Sequence, residues 1–167
     1  PEGAPTGMLF FAAHGAGAFK QPLASVGERA AAHGIQASPL QSAAGARMCE
    51  SYESAHSSHG DSERIAARLG ITKAPLRIDS QCKYAAVACG DASVYLRMPT
   101  SEDYREKIWD HAAGAIIVRE AGGTVSDIHG EPLDFSVGRT LARNQGIVAA
   151  PTSIHEEVLG AVKTGCS

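Results

Sequence analysis

The segment Trp109-Asp110-His111-Ala112-Ala113-Gly114 puts a carboxylate where the residue pattern predicts the first turn of a helix over about 109–120. A helix N-terminus stabilises negative charge, and the exposed oxygens of Asp110 could coordinate a hard divalent cation beside a phosphate drawn to the same amides. The plain alternative is a capping aspartate. Ala112, Ala113 and Gly114 weigh against it, because such small residues let a first turn pack tightly or approach a ligand. His56-Ser57-Ser58-His59 gathers two imidazoles and two hydroxyls ahead of a helix starting near Asp61, which suits a phosphate or a ribose hydroxyl. Zinc competes as its ligand without a Cys or carboxylate to complete the set, and a hydrogen-bonded loop without function is the third reading. Asp79-Ser80-Gln81-Cys82-Lys83-Tyr84 is another polar strand-to-helix junction, and Arg97 closes the strand Val94-Tyr95-Leu96. A lone Lys or Arg is usually a solvated charge. Several polar junctions on one edge of a sheet, however, are the usual ligand site of an α/β fold.

The elements that must carry these residues follow from periodicity and punctuation. Gly7 to Ala13 and Phe19 flank a glycine turn and predict a hairpin; the Gly15-Ala16-Gly17 step lacks the helix and third glycine of a dinucleotide fingerprint. Residues 24–42 read as a surface connection. From Arg47 strands and helices alternate: strands over 48–53, 76–78, 94–96, 124–126 and 147–150, and helices over 61–69, from Asp79 or Ser80 to Cys89, over 109–120 and from Pro151 to Val162. The helix over 109–120 should be the longest and bury Ala112, Ala113, Ile116 and Ile117. Such alternation implies a sheet covered by helices. A GxSxG elbow, a GxxxxGK[ST] loop and an HExxH pair are all missing from the sequence.

The chain of 167 residues suits one medium domain. Fifteen Lys and Arg against eighteen Asp and Glu leave a net charge of −3, so no overall field favours a nucleic acid polymer. No apolar run reaches the roughly 20 residues of a membrane span. Cys49, Cys82, Cys89 and Cys166 form no CxxC pair and read as free thiols of a reducing, cytoplasmic setting.

Trp109-Asp110-His111-Ala112-Ala113-Gly114 with Glu120-Ala121-Gly122-Gly123 resembles the C-terminal signature of the inositol monophosphatase-like superfamily of magnesium-dependent, lithium-sensitive phosphatases. Within it, His56 to His59, Asp79 to Tyr84, Val94 to Arg97, Pro132 to Phe135 and Gly138 to Leu141 look most like the 3′(2′),5′-bisphosphate nucleotidases of fungi and plants. The resemblance implies an α/β fold, the C-terminal portion of a layered αβαβα sugar-phosphatase architecture. It implies that Asp110 is a catalytic Mg²⁺ ligand and that His56, Ser80, Lys83 and Arg97 bind the nucleotide and its retained 5′-phosphate. The implied reaction converts adenosine 3′,5′-bisphosphate to AMP; an inositol polyphosphate phosphatase of the same superfamily and a noncatalytic nucleotide-binding fragment are the alternatives. The family's other metal ligands, on an upstream glutamate and a DPIDGT-type segment, do not occur here. Residues 1–46 are therefore expected to complete the sheet of a missing N-terminal half and 47–167 to form the C-terminal α/β domain. That half, or another chain covering the 7–19 hairpin, is the expected partner, and the chain alone is expected to be inactive.

Overall fold

The computed structural model describes residues 7–23, 30–52, 59–99, 101 and 103–165. In chain order the elements are β1 (Met8–Ala13), β2 (Gly17–Pro22), β3 (His33–Ile35), β4 (Met48–Glu50), α1 (His59–Arg68), β5 (Leu76–Arg77), α2 (Cys82–Cys89), β6 (Val94–Arg97), α3 (Ala112–Glu120), β7 (Gly123–Ser126), β8 (Ile147–Pro151) and α4 (Thr152–Gly165). Short 3₁₀ turns cover Ala43–Gly45 and Ile108–Asp110.

Side-chain alternation builds the layers. Every residue of β8 is buried, as expected of a strand covered on both faces. Ile147 and Ala149 join Tyr95 and Cys49 in a cluster with Tyr84 and Val87 of α2 and Ala115 and Val118 of α3. Val148 and Ala150 join Val94 and Leu96 in a second cluster with Ile65 of α1 and Ile154, Val158 and Val162 of α4. The central sheet, ordered β5-β4-β6-β8-β7, thus lies between α2 and α3 on one face and α1 and α4 on the other. It is mixed. β5, β4 and β6 run parallel, whereas β8 is antiparallel to β6 and β7.

A second sheet, ordered β1-β2-β3 and wholly antiparallel, packs on α3 through Phe10, Ala12, Ala18 and Ile35. Its turn is anchored by Glu120 at the end of α3, whose two carboxylate oxygens accept from the amides of Gly15 and Gly17 at 2.9 Å each. Those bonds hold the Glu120 carboxyl below the usual range. Leu9 and Phe11 alternate outward and are exposed, with Phe11 stacked on Phe19 at 5.6 Å.

The hairpin, the five later strands and the helices stand where periodicity puts them, with four differences. The 24–42 connection contains β3, which pairs with β2 although His33-Gly34-Ile35 is too short to show a period. Helix α2 has Gln81 as its N-cap with no side-chain bond, so neither Asp79 nor Ser80 holds that position. The helix predicted over 109–120 is split: Ile108–Asp110 forms a 3₁₀ turn and α3 begins at Ala112, leaving α4 the longest helix. Ala112 and Ala113 are exposed and Ile116 half-buried, while Gly114, Ala115, Ile117 and Val118 face the core.

Candidate functional site

Because β4, β5 and β6 are parallel, their C-terminal ends open on one edge of the sheet. Ser51 follows β4, Asp79 and Ser80 follow β5, and Arg97 ends β6. The start of α2 and the 3₁₀ turn carrying Asp110 close the far side. Together they bound a cleft of about 710 Å³. Ser80, Lys83, Arg97 and Asp110, nominated from three separate stretches of sequence, all line it. His56 lies outside the described residues, as do the remaining residues of 53–58, so neither the phosphate nor the zinc reading of that segment is met by a described geometry.

Each of the four is held differently. Lys83 is only 4% exposed, which its pattern as a solvated charge would not suggest. Its Nζ donates to Ser51 Oγ at 2.9 Å and lies 5.4 Å from the Tyr95 ring centroid, and burial pulls its pKa down. A lysine so placed makes a short, fixed donor facing the cleft. Ser80 adopts φ 61°, a left-handed conformation unusual for a side-chain-bearing residue, and its hydroxyl accepts weakly from the Cys82 amide at 3.4 Å. Backbone strain of this kind costs about 1–3 kcal/mol and is characteristic of sites where position matters more than stability. Asp110 sits exposed at the end of the 3₁₀ turn, one residue before the His111 N-cap of α3. The capping reading is thereby corrected.

Arg97 is the best anchored. Its Nε donates to Glu106 Oε1 at 3.1 Å, and the other oxygen of Glu106 accepts from His111 Nε2 at 3.1 Å. His111 Nδ1 in turn meets the Tyr84 hydroxyl at 2.8 Å. Burial pushes the Glu106 carboxyl up, but the His111 hydrogen bond and the Arg97 charge outweigh it and hold the group below its ordinary value. Gln81 ties the two helices across the cleft, accepting from the Gly114 amide at 2.9 Å and donating to the Trp109 carbonyl at 3.0 Å. Gly114 is required there: a Cβ would come within 2.2 Å of the Tyr84 ring. Ser51, Gln81, Glu106 and His111 were not singled out from sequence as site residues. Glu106 stands in the run Tyr104-Arg105-Glu106-Lys107, whose charges read as a solvated loop, and no spacing rule relates it to Arg97.

Among the described residues the donor set does not amount to a magnesium centre. Asp79, Glu106 and Asp110 all face the cleft, but Glu106 is committed to Arg97 and His111, and Asp79 Oδ1 accepts from the Tyr52 amide. No group of three His, Cys, Asp or Glu side chains among the described residues is placed to hold a metal ion. Burial pushes the Cys49 thiol up to about 12, which disfavours its thiolate. Cys49, Cys82 and Cys89 are unpaired, and among the described residues no helix is long and apolar enough to cross a membrane.

Comparison with known proteins agrees with this architecture. The chain is 53% identical over 161 residues to the 3′(2′),5′-bisphosphate nucleotidase of Emericella nidulans, an alignment covering 96% of this chain and 46% of that protein. It is 45% identical over 161 residues to the protein of the same name in Schizosaccharomyces pombe, covering 96% and 45%. The chain thus spans about half the length of the curated relatives it matches. Among solved structures, the Thermotoga maritima IMPase superposes with a TM-score of 0.65 at 25% identity, over 93% of this chain and 51% of that one. Mycobacterium tuberculosis SuhB shares the fold, with a TM-score of 0.65 over 95% and 55%. Residues 3–165 match the model of the inositol monophosphatase family, and the chain, with its sheet-edge cleft, belongs to that family.

Proposed function

We propose that this chain forms the nucleotide-binding side of a 3′(2′),5′-bisphosphate nucleotidase, a phosphatase releasing the 3′-phosphate of adenosine 3′,5′-bisphosphate to leave AMP. The observation that carries this reading is the convergence of Ser80, Lys83, Arg97 and Asp110 on one cleft in a chain 45–53% identical to proteins named for that activity. Lys83 and Arg97 give the cleft two cations for a phosphate that stays bound, and the Ser51 and Ser80 hydroxyls add neutral donors. His56, carried over from the resemblance, belongs to the same role.

Magnesium enters this reading through Asp110 as one ligand, the rest coming from an N-terminal half. The described residues of this chain do not make the centre alone. Hydrolysis is therefore assigned to the combination and not to the isolated chain. The exposed apolar side of the β1-β2-β3 sheet, with Leu9 and Phe11 outward, supports a covering partner of that kind. A reducing, cytoplasmic setting suits the unpaired thiols.

Two measurements test the proposal. AMP titrated calorimetrically into the chain should bind, and binding should fall when Lys83 is replaced by Ala. Phosphate release from adenosine 3′,5′-bisphosphate should be negligible with the chain alone and should appear when the N-terminal half of the Emericella nidulans relative is added. No AMP binding overturns the nucleotide reading, and steady turnover by the purified chain overturns the division of labour.

A further inference from the structure

From the core beneath the cleft to the cleft itself, four side chains are joined end to end: Tyr84 to His111 at 2.8 Å, His111 to Glu106 at 3.1 Å and Glu106 to Arg97 at 3.1 Å. We propose that Tyr84 and His111 are positioning residues that act through Glu106 to fix the plane of the Arg97 guanidinium for the nucleotide phosphate. The ligand in this proposal rests on the nucleotide reading above; the positioning does not.

The geometry sets a direction along the chain. An ionised carboxylate only accepts, so His111 Nε2 donates to Glu106, and in the neutral ring Nδ1 is then left to accept from the Tyr84 hydroxyl. Glu106 cannot swing, because each oxygen is bound to a different partner. Tyr84 cannot swing either: its ring meets the Tyr95 ring edge-on at 5.0 Å and is closed in by Gly114, where a Cβ would approach to 2.2 Å. Glu106 and His111 line the cleft wall but are buried, like Tyr84 beneath them, whereas the Arg97 side chain is 16% exposed to the cleft. The rigid end of the relay is thus in the core and its working end at the ligand.

An exposed Arg–Glu pair would settle in several geometries and would have to be reordered by each arriving anion. Here the ordering is done on folding. The guanidinium offers a planar fork whose value for phosphate recognition depends on orientation, so a relay that sets the plane strengthens binding without touching the ligand.

The test uses AMP as the probe, read by calorimetry on the full chain, together with solvent exchange of the Arg97 Nε–H in ¹⁵N–¹H spectra recorded without ligand. Tyr84→Phe removes one oxygen and keeps the ring. It is expected to weaken AMP binding about three- to tenfold and to speed Nε–H exchange. In an Arg97→Lys background, which lacks Nε, the same substitution should change AMP affinity by less than about twofold. Equal losses in both backgrounds overturn the proposal, since a merely structural hydroxyl would act regardless of Arg97. His111→Leu is the second probe and stands in if Tyr84→Phe does not fold. It should weaken AMP about tenfold, and His111→Gln, whose amide can donate to Glu106, should recover most of the loss. Absence of that recovery also overturns it. A chain that binds no AMP, yet whose Nε–H exchange still responds to Tyr84→Phe, supports the positioning and refutes the nucleotide reading. Normal AMP binding with affinity and exchange untouched by Tyr84→Phe refutes the positioning alone.

Discussion

Two buried carboxylates, Glu106 and Asp127, solve the same problem in opposite ways. Both are almost fully removed from water. Asp127 is satisfied locally: Oδ1 accepts from the amides of His129 and Glu131 at 2.9 Å each, and Oδ2 from the Gln145 amide and Asn144 Nδ2 at 3.3 Å. It organises the 127–145 loop and turns nothing toward a ligand. Glu106 takes its bonds from the side chains of Arg97 and His111, each anchored in a different element, and its partner Arg97 lines the cleft. A carboxylate bonded to backbone amides shapes its own loop. One bonded to side chains from elsewhere transmits position to them.

Substitutions at the cleft and at the loop can break this contrast. The largest effect is expected at Asp110, exposed in the cleft. In the proposed combination with an N-terminal half, Asp110→Asn should lower kcat by at least about 10²-fold while leaving Tm almost unchanged, since the charge is lost and the shape kept. Normal turnover and metal dependence in that variant would remove Asp110 from the chemistry. Next come the cations. Lys83→Ala and Arg97→Ala should each raise KM about 10- to 150-fold with a smaller change in kcat, as expected of groups holding the phosphate that is not transferred. A fall in kcat at constant KM would assign them to the reacting phosphate instead.

The two acids themselves sharpen the comparison when each is replaced by its own amide. Glu106→Gln should weaken AMP binding about tenfold, whereas Asp127→Asn should lower stability by about 1–3 kcal/mol and leave affinity unchanged. Loss of affinity in Asp127→Asn would erase the distinction between loop-building and position-transmitting carboxylates.

A subtler separation lies in pH. Burial holds His155, bonded to Ser126 Oγ at 3.0 Å, below its ordinary 6.5, so the unfolded chain takes up that proton first and stability falls as pH drops below about 6.5. The Glu106 carboxyl is held below its ordinary 4.5, so its contribution is present above that pH and is lost as pH falls through the folded value. Denaturant unfolding across pH should therefore show an upper limb flattened by His155→Gln and a lower limb flattened by Glu106→Gln. Each variant flattening the other's limb would contradict the assignment. The smallest effect is at Ser80, where Gly relieves the left-handed backbone: Ser80→Gly should stabilise the chain by about 0.5–1 kcal/mol in thermal unfolding while weakening AMP.

What the sequence determined by itself is whatever repeats with a short period or stands at a chain-local boundary. The buried run Ile147 to Ala150, the amphipathic spacing of Ile154, Val158 and Val162, and Gly90 ending α2 in the left-handed region are of this kind. So are Ser80, Lys83, Arg97 and Asp110, each placed at an element end by its neighbours. The split of the helix before Ala112 was not legible, because Trp109 to Ala112 carries no Gly or Pro to mark where a 3₁₀ turn gives way to α-helix. Nor was β3, since three residues cannot display a period and the strand exists only through its pairing with β2. Only the tertiary structure decided that Lys83 would be buried against Ser51 and that Tyr84, His111, Glu106 and Arg97 would meet. Tyr84 and His111 are 27 residues apart in sequence and in hydrogen-bond contact in space. The physical reason is that backbone propensities act over a turn or two of chain, whereas the desolvation of a buried charge is relieved by whichever partners packing brings within reach.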